Sequence, residues 1–141
     1  MAEPMNRAPI VFVIILSFIL PTAYPVHSAT TWEVCFTPGG NCTESVVKAL
    51  SEAKTSVYVQ AYSFTSAPIA KAPLEAHKRG VHVEIILDKS NLSAKYSSAD
   101  FVAHTDIPTY IDSAHAIAHN KIMIIDSETV ITGSFNFTTA A

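Results

Sequence analysis

Charge is scarce in this 141-residue chain. Only 15% of its residues are charged, and nine Lys and Arg stand against twelve Asp and Glu, for a net charge of −3. That balance supplies no electrostatic funnel for DNA, so a polyanion would have to be held locally. Cysteine is scarcer still. Cys35 and Cys42 are the two in the sequence, and no second pair exists to complete a zinc site. The longest apolar run, Ile10 to Leu20, has eleven residues, too few to span a bilayer comfortably. Internal repeats, low-complexity tracts and signs of a second domain are also missing. What is present is a 49% hydrophobic composition, enough in a chain this long for one domain with a real core and too apolar for disorder.

The apolar run has the length of a signal-peptide core. Arg7 precedes it, and Pro21, Thr22, Ala23, Tyr24 and Pro25 break it. Val26-His27-Ser28 or His27-Ser28-Ala29 supplies a cleavage site, the former fitting small-residue preferences better. Residues 1–28 are therefore expected to be a signal peptide and residues 29–141 the mature domain, exported to the periplasm or secreted. Removing the leader drops Glu3 and Arg7 together, which leaves the net charge unchanged. In an oxidising compartment Cys35 and Cys42, bracketing the turn-forming Pro38-Gly39-Gly40-Asn41, suit a local disulfide. Two buried thiols are the alternative. Asn41-Cys42-Thr43 and Asn91-Leu92-Ser93 fit the glycosylation pattern, which matters only in a eukaryotic secretory route.

The elements follow from periodicity. Trp32 to Phe36 reads as a short strand. Thr43 is placed to cap a helix whose Val46, Ala49, Leu50 and Ala53 recur at helical spacing. Val57, Val59 and Ala61 alternate with Tyr58, Gln60 and Tyr62 as a strand. A helix is expected from Ala67 to Arg79 with Gly80 as its stop, bent or shortened at Pro73, which removes a hydrogen bond. Val81 to Leu87 reads as a covered strand and Asp88 to Lys95 as a polar loop. Ser97 or Ser98 caps a short helix to His104. Ile107–Ile111, Ile117–Ile125 and Thr129–Thr132 read as strands, the last two joined by a turn at Asp126-Ser127-Glu128. Strands alternating with helices, with a hairpin at the end, predict an α/β sheet with helices on both faces.

His119 and Lys121 stand two apart at the start of the longest predicted strand. Alternation puts them on one face, their Cα atoms about 6–7 Å apart. A possible nucleophile or proton carrier beside a fixed positive charge suits a phosphate. Asp126 lies seven residues from His119, on the opposite face and at the turn, which favours a structural role. His115 reads as a rim residue, since no carboxylate or third histidine sits at metal-ligand spacing from it. His77, His82 and His104 read as helix-end or strand-surface residues. Tyr58, Tyr62, Phe64, Phe135 and Phe137 read as core. Lys71, Lys78, Arg79, Lys89 and Lys95 read as mostly solvated, with Lys89 and Lys95 placed to guide a polyanion.

His119-x-Lys121-x-x-x-x-Asp126, six residues, then Gly133-Ser134-x-Asn136 resembles the HKD motif of the phospholipase D superfamily. Ala61-Tyr62-Ser63-Phe64-Thr65 and the strand-helix-strand ending at Asp88 are similar to its small, secreted bacterial endonuclease-like branch. The resemblance covers Trp32 to Ala141. It implies a phospholipase D-like α/β/α sandwich with a mixed sheet flanked by helices, the C-terminal part of the domain missing. It also implies a metal-independent phosphodiesterase without a cofactor. His119, Lys121 and Asp126 would be the catalytic set, His119 forming a phosphohistidine. Lys121, Ser134 and Asn136 would bind the substrate phosphate. The motif occurs once, so the resemblance implies a homodimer that supplies a second histidine to protonate the leaving oxygen. Nucleic acid and phospholipid both remain open as substrates. A non-catalytic phosphate-binding or interaction module is the reading from a different class.

Overall fold

The computed structural model describes residues 30–92 and 105–139. The expected leader, Lys95 and the helix expected to end at His104 lie outside the described residues. Five strands form one sheet: β1 Ser56–Ala61, β2 His82–Asp88, β3 Thr109–Asp112, β4 Lys121–Ile125 and β5 Thr129–Thr132, in the order β3-β2-β1-β4-β5. The β1–β2 and β2–β3 pairs are parallel; β1–β4 and β4–β5 are antiparallel. The sheet is thus mixed, with β1 at its centre. Two α-helices, α1 Cys42–Glu52 and α2 Ala67–Lys78, and a short 3-10 helix at Lys89–Leu92, where a polar loop was expected, complete the regular structure of the described residues.

Alternation decides which side of the sheet is dry. Val57 pairs with Val83 and Ile125, Val59 with Ile85 and Met123, and Ala61 with Leu87 and Lys121. Side chains directly opposite across a ladder share a face, so these nine line one side, and all are buried. They form one core with Val46 and Leu50 of α1 and Ile69, Ala70 and Ala76 of α2. Each fully buried Val, Leu or Ile contributes roughly 1.5–3 kcal/mol, so this face dominates the stability of the domain. The opposite face carries Tyr58, Ile86, Tyr110, Ile124 and Val130, all exposed. Among the described residues no helix is long and apolar enough to cross a membrane.

Several local expectations are corrected. Residues 32–36 form no strand; Val34 and Phe36 are exposed and pair with no neighbour. This segment is tied instead by the Cys35–Cys42 disulfide, Cα–Cα 5.6 Å, and by the Ser45 hydroxyl donating to Glu33 (3.0 Å). Between them lies the Pro38–Asn41 turn, where a Cβ on Gly40 would come within 2.2 Å of the Phe36 carbonyl oxygen. Thr43 does not cap α1. It lies inside the helix, the N-cap residue is Asn41, and the disulfide holds the first turn. α2 runs through Pro73 without being shortened. The proline ring is fully buried, so apolar burial offsets part of the lost hydrogen bond. Arg79 is not simply solvated: its Nη2 donates to the carbonyls of Leu50 (3.2 Å) and Ala53 (3.4 Å) at the end of α1. Gly80 follows at φ +91°, the left-handed stop that the sequence led us to expect.

The strand expected from Ile117 to Ile125 begins only at Lys121, and β2 is the longest, with seven residues. The reason is competition for backbone groups. Within that stretch the Ala118 N–H donates to the Asp88 side chain rather than to a neighbouring strand.

Candidate active site

Parallel strands β1 and β2 end side by side, and three connecting segments gather at that edge: Tyr62 to Ser66 after β1, the 3-10 helix Lys89–Leu92 after β2, and Ser113 to Asn120 before β4. The stretch after β5 joins them, because the Phe137 carbonyl accepts from the N–H groups of Thr65 and Ser66, both at 2.9 Å. Both halves of the motif therefore meet at one end of β1. In open α/β sheets this is the edge that binds ligands.

His119 precedes β4 rather than lying in it, yet it stays beside Lys121. The Lys121 ammonium is 3.3 Å from each ring nitrogen of His119 and donates to the His119 carbonyl at 3.1 Å. Lys121 is buried at 6% exposure, whereas His119 is exposed. The lysine stem fills the end of the dry face and only its head reaches the rim. Tyr62 closes the other side. Its ring centroid is 4.4 Å from that of His119 and 5.3 Å from the Lys121 ammonium, a cation–π arrangement. Lys121 has no carboxylate partner among the described residues. Its charge is thus directed at the rim.

Aspartates at strand ends hold this arrangement. Asp88, buried at the end of β2, accepts from the Ala118 N–H at 2.7 Å and the Ser90 N–H at 2.8 Å. The Ser90 side chain first, then these N–H groups, hold its carboxyl below the ordinary range, at about 2. The residue before His119 is thereby fixed. Asn91 donates through Nδ2 to the carbonyls of Tyr62 (2.7 Å) and Asp88 (2.9 Å). The Tyr62 N–H reaches the Asn120 carbonyl (2.8 Å). Asn91 is buried, which removes it as a glycosylation acceptor.

Asp126 stands five residues beyond Lys121, about 16 Å away at the usual strand rise. It belongs to the far end of the sheet. Its carboxylate accepts from the N–H groups of Lys54, Thr55 and Ser56 and from the Thr55 hydroxyl, at 2.7–3.1 Å. The Ser56 and Thr55 N–H groups above all depress its pKa. Asp126 and Ser127 have φ of 55° and 58°, the paired positive values of a type I′ turn. The Asp126 side chain thus locks the β4–β5 turn to the start of β1.

Ser134 and Asn136 do not lie on a strand, since β5 ends at Thr132. They sit on the irregular stretch leading to Phe137, which bridges to Phe64. Ser134 is exposed; Asn136 is half-buried, and its buried Oδ1 has no hydrogen-bond partner among the described residues. The aromatic group divides. Phe64 and Phe137 are core, and Phe135 packs against it. Tyr58 lies on the open face against His82 (5.8 Å), whose Nε2 is 2.7 Å from Glu84. Tyr62 belongs to the site. His115 has a carboxylate partner that spacing alone had not suggested: its Nδ1 is 2.8 Å from Asp112. The Lys89 ammonium also donates to the His115 carbonyl at 3.1 Å rather than standing free.

Residues 46–141 match the family described as "Cardiolipin synthase, PLD-like domain". A phospholipase D of Rickettsia typhi is 44% identical over 131 residues, covering 89% of this chain and 64% of that protein. The mitochondrial cardiolipin hydrolase of dog is 31% identical over 108 residues, covering 76% of this chain and 42% of that protein. The chain therefore spans less than two thirds of the length of these curated relatives. The crystal structure of Nuc, a phospholipase D family member from Salmonella typhimurium, superimposes with a TM-score of 0.70 at 43% identity, over 74% of this chain and 70% of that one. NucT from Helicobacter pylori gives 0.60 at 30% identity, over 70% and 68%. With a mixed sheet, a His119–Lys121 pair at the edge where β1 and β2 end and these relatives in sequence and structure, the chain belongs to the phospholipase D-like family.

Proposed function

We propose that this protein is a metal-independent phosphodiesterase that works through a covalent phosphohistidine at His119. The observation that carries the reading is the pairing of an exposed imidazole with an uncompensated ammonium 3.3 Å away at the edge of the sheet. A neutral imidazole nitrogen attacks phosphorus and expels an alcohol, leaving phosphohistidine. Water then breaks the P–N bond, giving a phosphomonoester and free His119. Lys121 faces the phosphoryl oxygens as their charge grows, with Ser134 and Asn136 as further donors. Asp126 serves through the backbone it holds.

The departing oxygen needs a proton. One motif per chain supplies one such histidine, so a second copy of this chain contributes the other in a homodimer, one histidine acting as nucleophile and its partner as proton donor. The phospholipase D and cardiolipin hydrolase relatives favour a phospholipid substrate; the likeness of the Ala61–Thr65 stretch to the nuclease branch favours nucleic acid. The disulfide and the apolar leader favour an exported protein, periplasmic or secreted. The test is turnover of single-stranded DNA and of phosphatidylcholine in chelator, with His119→Ala and wild-type chains mixed. Turnover in chelator and a loss on mixing that exceeds simple dilution are expected. Abolition by chelator refutes the mechanism, and additive activity on mixing refutes the shared site. A folded protein that binds phosphate and turns over neither substrate is a non-catalytic module.

A further inference from the structure

His115 takes no part in the chemistry above, yet it is the most firmly held exposed imidazole at this edge. Its Nδ1 lies 2.8 and 3.0 Å from the two Asp112 carboxylate oxygens. Its N–H donates to Asp112 at 3.3 Å, next to that of Ala114 at 3.1 Å. Its carbonyl is fixed by Lys89. The imidazole side chain is nevertheless 71% exposed, while that of Asp112 is only 13% exposed. Ordering a side chain costs conformational entropy, and here no burial offsets it. A carboxylate that only capped the 113–116 turn would need the two N–H groups and not the ring. The contact to Nδ1 also leaves Nε2 as the nitrogen free to meet a ligand.

We infer that His115, oriented by Asp112, is a second phosphate subsite that engages a nucleic-acid strand next to the diester held at His119. In its imidazolium form the ring donates from Nδ1 to Asp112 and from Nε2 to a phosphate oxygen, a charge-assisted bond. His115 and His119 are four positions apart in the chain, so their Cα atoms are at most about 14 Å apart. A strand seated at His119 carries a phosphate on every nucleotide and so places another within that span. A phospholipid with one phosphate does not. Lys89 adds positive charge beside the same loop. Asp112 acts as a positioning residue.

This inference rests on the phosphodiesterase reading, and substrate choice separates the two. The full chain and its variants are assayed on bis(p-nitrophenyl) phosphate, which has one phosphate, on a 20-nucleotide single strand, and on phosphatidylcholine vesicles. His115→Ala raises KM for the strand about tenfold, with kcat and turnover of the small diester within twofold. His115→Arg, which keeps a cationic donor, restores KM. Asp112→Asn raises KM for the strand in the same direction. An unchanged strand KM in His115→Ala, an equal loss on strand and small diester, no rescue by arginine, or a wild-type protein that cleaves vesicles but not the strand would each overturn the subsite. A wild-type protein that cleaves none of the three overturns the phosphodiesterase reading, and the subsite falls with it.

Discussion

Phe137 is the pin of the motif's second half, and its removal tests whether the site depends on it. The ring is 2% exposed and meets Phe64 edge-on at 6.4 Å and Phe135 at 6.2 Å. Its carbonyl receives two N–H groups from the stretch after β1. Phe137→Ala deletes the ring and leaves a cavity beside Phe64 and Phe135, for a loss of about 3–5 kcal/mol. The two aromatic contacts account for about 0.5–1.5 kcal/mol each within that loss. With a urea slope of about 1.5 kcal/mol per molar, the unfolding midpoint falls by roughly 2–3 M. Phe137→Leu fills most of the space and costs about 1.5 kcal/mol or less, so it remains folded. Urea unfolding followed by far-UV circular dichroism gives the stability. Turnover of a small diester by the leucine variant, below its unfolding range, then reports whether Ser134 and Asn136 keep their places. A coupling of about 0.5 kcal/mol or more is expected in a Phe64→Ala/Phe137→Ala cycle. An alanine variant within 0.5 kcal/mol of wild type, with coupling near zero, would refute the claim that this ring anchors the motif.

Lys121→Met keeps the buried stem and removes the charge; kcat/KM on a small diester should fall about 100-fold or more while the unfolding midpoint changes little, as steady-state kinetics and urea titration will show. Stability should fall in acid. The folded-state pKa of Asp88 is depressed to about 2, so its contribution is fully present above the unfolded value of about 4 and disappears between about pH 4 and 2. Asp112 and Asp126 act in the same direction, and Asp88→Asn should flatten that part of the curve in pH-dependent thermal melts. Cys35→Ser opens a loop with a sequence separation of 7 and should cost about 2.5 kcal/mol, with dithiothreitol reproducing the shift in wild type and leaving the variant unchanged.

Much of the fold was legible because it rests on local periodicity. The buried Val57, Val59 and Ala61 alternate as a half-covered strand must, and Gly80 ends α2 where a left-handed residue is needed. The family was legible because the motif has fixed spacing. The separation of Asp126 from the pair lies in its place at the far end of β4, which strand parity does not express. Contacts between distant segments were not legible. Asp88 meets Ala118 across 30 residues, Asn91 meets Tyr62 across 29, and Arg79 meets Leu50 across 29. Nothing in the residue types near Asp88 says which backbone it will bind. Asp112 and His115 are three apart, close enough for a hydrogen bond, but the turn geometry that joins them is not written in the residue types.

The three strand-end aspartates have a consequence for which replacements this fold tolerates. Asp88, Asp112 and Asp126 each reach backbone N–H groups at 2.7–3.3 Å over the shortest carboxylate side chain available. Glutamate keeps the charge but sets the oxygens one methylene further out, beyond the groups they must meet. Asparagine keeps the reach but only one acceptor oxygen, and at Asp88 its amide would face an N–H that now donates to a carboxylate oxygen. At these positions length and a second acceptor are both required, so neither glutamate nor asparagine is a mild change.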